Sequence, residues 1–167
     1  TAHVFRQLDL GGNVRAVAAG GGIAYAGLDS GQIAAVDLAS GTVLHLLGVP
    51  SSVQDLALSG DYLYVHTLGR LYTVSLLGNQ WQITSSIPGP SLNPNPVNRF
   101  RLFVGANRAY AAQASGYWVF SLDTPGAPAL IQRVDTTQLG WKQIVPTGAG
   151  LAVGVVSPNA TPDGPHD

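Results

Sequence analysis

Four histidines, His3, His45, His66 and His166, are the side chains best able to do acid–base chemistry near neutral pH. Imidazole serves as a general base because its ordinary pKa lies near 6.5. In the repeat pattern described below, His66 ends a second strand, whereas His45 lies inside a fourth strand. The second and fourth strands of a unit occupy different places across the sheet, so His66 and His45 should lie apart. We therefore interpret the histidines as isolated side chains rather than as one catalytic site.

Metal binding is the second candidate chemistry, and its residues lie in the segment Ser157–Asp167. Asp163 and Asp167 flank His166 within five residues of each other. Carboxylates and backbone carbonyls are the ligands that Ca²⁺ prefers, so the two aspartates form a candidate calcium site. The spacing does not follow the EF-hand pattern, and the proline and glycine content also fits an ordinary surface loop. No other cofactor is predicted.

A candidate binding surface consists of two tryptophans and two asparagines. Trp81 and Trp141 lie at predicted strand edges beside polar residues, while Asn93 and Asn95 belong to Pro88–Asn98, a loop with four prolines. Proline removes amide donors and favours extended backbone, so this loop should be exposed outside the sheets. Loops on a rigid scaffold are common binding sites. The alternative for each tryptophan is ordinary packing at a strand edge.

The elements that position these residues are predicted from an internal repeat of about 40 residues. Tyr25 and Tyr64 are 39 residues apart, and Tyr64 and Tyr110 are 46 apart, with the surplus in the loop Pro88–Asn98. Each copy contains four short apolar strands separated by turns rich in Gly, Asn and Asp, and most other aspartates are expected to serve those turns. The predicted copies span residues 14–47, 53–87, 100–134 and, incompletely, 141–167.

Four antiparallel strands per repeat predict an all-β fold, namely a β-propeller with about three and a half blades over residues 1–167. A β-sandwich is the alternative, although it does not explain the period. Residues 1–9 have the apolar character of the outer strand of a preceding or closing blade. The count therefore predicts part of a larger ring, which further sequence or a second copy of the chain would complete. A self-closed ring of four blades is the other possibility.

Composition supports buried sheets and argues against several partners. Charged residues make up 10% of the chain, against roughly 25% in an average soluble domain, so most strands should be covered on both faces. The net charge of −1 and the scattered Lys and Arg residues give no basic surface for nucleic acid. No apolar run reaches the length of a membrane span, and the absence of cysteine excludes disulfides and thiolate chemistry.

Two stretches resemble bacterial propeller repeats. Residues 116–131, GYWVFSLDTPGAPALI, resemble the LVIVD-type repeat, and residues 34–44, AAVDLASGTVL, resemble the YncE-like or quinoprotein-type repeat. The resemblance implies a secreted, periplasmic or cell-surface bacterial module, and it brings no catalytic residues with it. The absence of Gly-His and Trp-Asp pairs argues against WD40 repeats.

These observations favour a non-catalytic interaction module whose loops bind protein or glycan. The sequence offers no base, nucleophile and metal set that could meet at one reacting atom. The alternative is an enzyme, either a metal-dependent hydrolase that uses carboxylates in the channel or a quinoprotein-like dehydrogenase that uses the ring centre.

Overall fold

The computed structural model describes residues 6–78, 81–91, 100–113, 116–135, 141–147 and 152–156. These residues form antiparallel sheets in chain order, and each sheet is one of the predicted blades. Blade 1 contains β1 Val14–Gly20, β2 Ile23–Leu28, β3 Gln32–Asp37 and β4 Val43–Gly48. Blade 2 contains β5 Val53–Ser59, β6 Tyr62–Thr67, β7 Arg70–Ser75 and β8 Gln82–Pro88.

Blades 3 and 4 continue the same order. Blade 3 contains β9 Arg101–Gly105, β10 Arg108–Gln113, β11 Gly116–Ser121 and β12 Ala129–Asp135. Blade 4 contains β13 Trp141–Pro146 and β14 Ala152–Val156. In every blade, neighbouring strands in the sequence are neighbours in the sheet. The described residues contain no helix, and so none that could cross a membrane.

Tight turns between the first and second strands set the register in blades 1 and 3. Gly21 and Gly22 both have positive φ in blade 1, and Ala106 and Asn107 do so in blade 3. A two-residue hairpin whose twist matches that of its strands requires this left-handed conformation. Glycine adopts it without strain, whereas Ala106 does so at a cost that the packed strands on either side must offset.

The first strands of successive blades lie side by side: β1 contacts β5, β5 contacts β9, and β9 contacts β13. Burial then follows the order of strands within a blade. The second and third strands are largely buried, while the fourth strands β4, β8 and β12 are mostly exposed. This gradient identifies the first strand as the inner strand and the fourth as the outer strand.

Three apolar cores lie between successive blades. Tyr25 packs in the core between blades 1 and 2, Tyr64 in that between blades 2 and 3, and Tyr110 in that between blades 3 and 4. The tyrosines occupy equivalent second-strand positions, since each pairs with the same position of its inner strand. The repeated tyrosine therefore serves packing, because each of the first three copies supplies one tyrosine to the interface that follows it.

Residues 6–13 lie beside blade 1 without forming a strand. The Asn13 side chain donates a hydrogen bond to Asp29 at 2.7 Å, and the Arg6 guanidinium donates one to the Ala39 carbonyl at 3.4 Å. Residues 1–5 lie outside the described residues. The predicted role of residues 1–9 as an outer strand of another blade thus stays a prediction.

Candidate functional site

The loop Pro88–Asn98 leaves the end of blade 2 that carries the β6–β7 turn. The Gly69 amide donates to the Pro90 carbonyl and the Gly89 amide donates to the Gly69 carbonyl, both at 3.0 Å. Gly89 and Pro90 are buried, so the first part of the loop is fixed to the turn. Asn93 and Asn95 lie outside the described residues.

His66 lies beneath this anchored segment at the end of β6. Its side chain is fully buried, and its ring centroid lies 5.1 Å from that of Phe100, the residue at which the chain re-enters blade 3. Burial lowers the pKa of His66 to about 4, an effect that the nearby Pro90 carbonyl only partly opposes. Within the described part of the chain, neither ring nitrogen has a hydrogen-bond partner of regular geometry. The imidazole is therefore neutral at pH 7.

Asp55 joins the inner strands of blades 2 and 3. Its Oδ2 accepts hydrogen bonds from the Leu102 amide at 2.7 Å and from Arg101 Nε at 3.3 Å, while Oδ1 accepts one from the Leu56 amide at 3.0 Å. Burial raises the pKa of Asp55, and the amide hydrogen bonds and the Arg101 charge oppose that rise. Asp55 was expected in a turn, but it lies in β5 and fixes one blade to the next.

Asp55 and His66 are partners in the β5–β6 register, yet they do not form a catalytic pair. No hydrogen bond joins their side chains among the described residues. A general base needs a partner that orients it and an open path to a reacting atom, whereas His66 is fully covered. His66 is therefore best understood as packing beneath Pro90 and Phe100, while Asp55 joins the inner strands of blades 2 and 3.

We expect Asp55→Ala to lower the free energy of unfolding by about 2 kcal/mol, because the Leu102 amide would lose its acceptor at a buried interface. Urea denaturation followed by circular dichroism measures the change. Asp123→Ala is the matched control, since Asp123 pairs with Arg108 at an exposed turn and its loss should lower the stability far less. Equal effects of the two variants would show that Asp55 does not join the blades.

Trp81 is half-buried beside the core between blades 1 and 2. Its ring lies 5.1 Å from the stacked ring of His45 and 5.4 Å from Tyr25. It immediately precedes β8, whereas the loop Pro88–Asn98 starts where β8 ends, so a strand length of roughly 20 Å separates them. Trp81 and the start of the loop thus lie at opposite ends of blade 2. Trp141 begins β13, but its side chain lies outside the description.

Trp118, in the third strand β11, packs against the core between blades 2 and 3. The Arg133 guanidinium lies over the indole at 5.3 Å, a cation–π contact between neighbouring strands. Its buried Nε1 has no hydrogen-bond partner in the described part of the structure.

The candidate calcium ligands Asp163 and Asp167 lie outside the described residues, as do His3 and His166. Over the ranges that the structure describes, no group of three or more His, Asp or Glu residues could hold a metal ion. The calcium site stays a prediction.

Comparison with known proteins identifies the fold but no family. No protein-family model matches the chain, and no curated protein does. The computationally designed Ika4 protein matches with a TM-score of 0.69 and 16% identity, over 89% of this chain and 88% of that one. The β-propeller domain of Cps50 (Swd1) from Myceliophteria thermophila matches with a TM-score of 0.63 and 14% identity, over 86% of this chain and 50% of that one. The fold is a β-propeller.

BamB from Moraxella catarrhalis matches the propeller as well, with a TM-score of 0.56 and 22% identity, over 77% of this chain and 38% of that one. This chain therefore spans half or less of the Cps50 and BamB chains. The serial stacking of four-stranded sheets and these neighbours confirm the predicted propeller over the sandwich. At such low identity the likeness concerns the fold alone.

Proposed function

We propose that this propeller is a non-catalytic interaction module that binds protein or glycan through the loop Pro88–Asn98. One observation carries the proposal: Pro90 and Phe100, the described residues that bracket Asn93 and Asn95 in the sequence, are both fixed to blade 2. Pro90 is hydrogen-bonded to Gly69, and Phe100 packs on the buried His66. Asn93 and Asn95 lie between these two anchors in the sequence, and loops on a packed scaffold commonly provide recognition.

The proposal includes the finer parts of the sequence interpretation. The module is of the LVIVD-type or YncE-like class and is secreted, periplasmic or displayed on a bacterial cell surface. Trp81 and Trp141 supply further contacts, and Asp163 and Asp167 hold a calcium ion. Further blades complete the ring.

A glycan array and a displayed peptide library test the proposed binding surface. Ligands selected on the unmodified chain should lose at least tenfold in affinity, about 1.4 kcal/mol, for the Asn93→Ala/Asn95→Ala double variant. Asp123→Ala is the control and should bind normally. Asp123 follows β11 at the end of blade 3 that carries the β9–β10 turn, whereas the loop leaves blade 2 at the end that carries the β6–β7 turn. Selected ligands that bind both variants equally would place recognition elsewhere.

A second measurement addresses the enzyme alternative. The purified chain should turn over neither a panel of hydrolase substrates nor a redox dye supplied with alcohol or sugar substrates. Turnover in either assay that survives repurification would overturn the non-catalytic proposal. Calcium that is retained by the unmodified chain but lost by Asp163→Asn/Asp167→Asn would support the proposed calcium site and leave the binding proposal unchanged.

A further inference from the structure

Each blade has one sheet face directed toward the preceding blade, and we call it the leading face. One inner-strand position of each blade lies on this face. Val17, Leu56, Leu102 and Ile144 are the equivalent residues, as the pairing registers of the inner strands show. The three later residues are 5%, 4% and 4% exposed because the preceding blade covers them, whereas Val17 is 61% exposed. Among the described residues, the leading face of blade 1 thus lacks the cover that the other three have.

The opposite, trailing face shows the same contrast in blade 4. The repeated tyrosines Tyr25, Tyr64 and Tyr110 lie on trailing faces and are 5%, 1% and 8% exposed. Val153 holds the equivalent position of β14, where it pairs with Val145, and it is 58% exposed. Within the part of the chain that the structure describes, the trailing face of blade 4 is therefore also an interface surface without cover.

These two faces do not cover each other. Among the described strands, β13 makes no contact with β1 comparable to the contacts between the inner strands of successive blades. Residues 6–13 cover only part of the leading face of blade 1: Gly12 lies against Leu28, but Val17 and the outer-strand residue Leu46 stay exposed.

The two exposed faces carry the same kinds of apolar position as the three described cores. Each of those cores joins one trailing residue to one leading residue. Tyr25 and Leu56 share the first core, Tyr64 and Leu102 the second, and Tyr110 and Ile144 the third. Val153 and Val17 are the trailing and leading residues left over. A surface that continues an established interface is best covered by another unit of the same kind.

We propose that a second copy of this chain covers both faces. A half-turn about the propeller axis brings Val153 of each copy onto Val17 of the other, which closes two identical head-to-tail interfaces. The chain spans 50% of the Cps50 propeller domain, so a second copy supplies the length that a whole ring of that size needs. This inference rests on the ring completion included in the proposed function.

Analytical ultracentrifugation of the full chain tests the arrangement. The unmodified chain should sediment as a dimer, and Val17→Asp or Val153→Asp should each weaken association at least tenfold, because a buried carboxylate without a partner is costly. Ile131→Asp is the control: Ile131 is exposed on the outer strand of blade 3, away from both faces, so this variant should still form the dimer. Circular dichroism verifies that every variant keeps its sheets.

Mixing the variants tests the head-to-tail geometry. A mixture of Val17→Asp and Val153→Asp chains retains one interface without substitutions, so heterodimers should form at concentrations at which each variant alone is mainly monomeric. A folded monomer for the unmodified chain, or loss of association with Val17→Asp but not with Val153→Asp, would overturn the proposal. Ligand binding that depends on Asn93 and Asn95 in a monomer would refute only the dimer, whereas a dimer without any such binding would refute only the loop proposal.

Discussion

Phe120→Ala should lower the free energy of unfolding by about 4 kcal/mol, because truncation of a buried aromatic ring loses its transfer energy and leaves a cavity. Phe120 is fully buried in the core between blades 2 and 3, with its ring centroid 6.4 Å from that of Trp118. Urea denaturation at a fixed protein concentration measures the change, since association would make the apparent stability depend on concentration.

Ile131→Ala provides the control for this substitution. Ile131 lies in the next strand, β12, but it is exposed, so its truncation should cost less than about 0.5 kcal/mol. A loss below about 1.5 kcal/mol for Phe120→Ala would contradict the described packing between blades 2 and 3.

Acid should destabilise the fold through His66. Burial lowers the pKa of His66 from 6.5 to about 4 in the folded chain. Between these pH values the unfolded chain binds a proton that the folded chain does not, so stability is present above pH 6.5 and is lost as the pH falls toward 4. The shift corresponds to about 3 kcal/mol. Urea denaturation at a series of pH values measures the slope.

His66→Leu should abolish most of this slope, while Thr73→Val, which also removes a buried polar group but no titrating one, should retain it. The pKa of Asp55 is raised by burial, so its titration removes stability as the pH rises from about 3.8 and opposes the effect of His66. The pKa values of Asp29, Asp37 and Asp123 are lowered, mainly by hydrogen bonds, which places their loss of stability below this window. An unchanged slope in His66→Leu would show that another group controls acid stability.

The repeat allowed much of the fold to be predicted, because the residues that recur are those that face neighbouring blades. Tyr25, Tyr64 and Tyr110 recur at the same strand position and all lie in cores. The turn at Ala106 and Asn107 followed from its position between two apolar strands, even without glycine. Local pattern was sufficient where the relevant contact is made by neighbouring residues of one sheet.

The site was harder to predict, because its residues meet across blades. Asp55 bonds the Leu102 amide 47 positions further along, a contact that depends on how one sheet is rotated against the next. The alternation of side chains along a strand shows which face of the sheet a residue occupies, but not which residue of the next blade it contacts. A charged residue in the inner strand of an apolar repeat was the available signal. Likewise, the separation of Trp81 from the start of the Pro88–Asn98 loop could be predicted only with knowledge of where β8 begins and ends.

The inner strands contact one another in series, so the blades should differ in how easily they separate from their neighbours. Blades 2 and 3 have a neighbour on each side, whereas among the described sheets blades 1 and 4 each have one. Opening by thermal fluctuation should therefore start at blades 1 and 4, where one interface rather than two must separate. A closed ring has no terminal blade, so the opening of any blade must separate two interfaces rather than one. Ring closure would thus act chiefly on how slowly the protein unfolds.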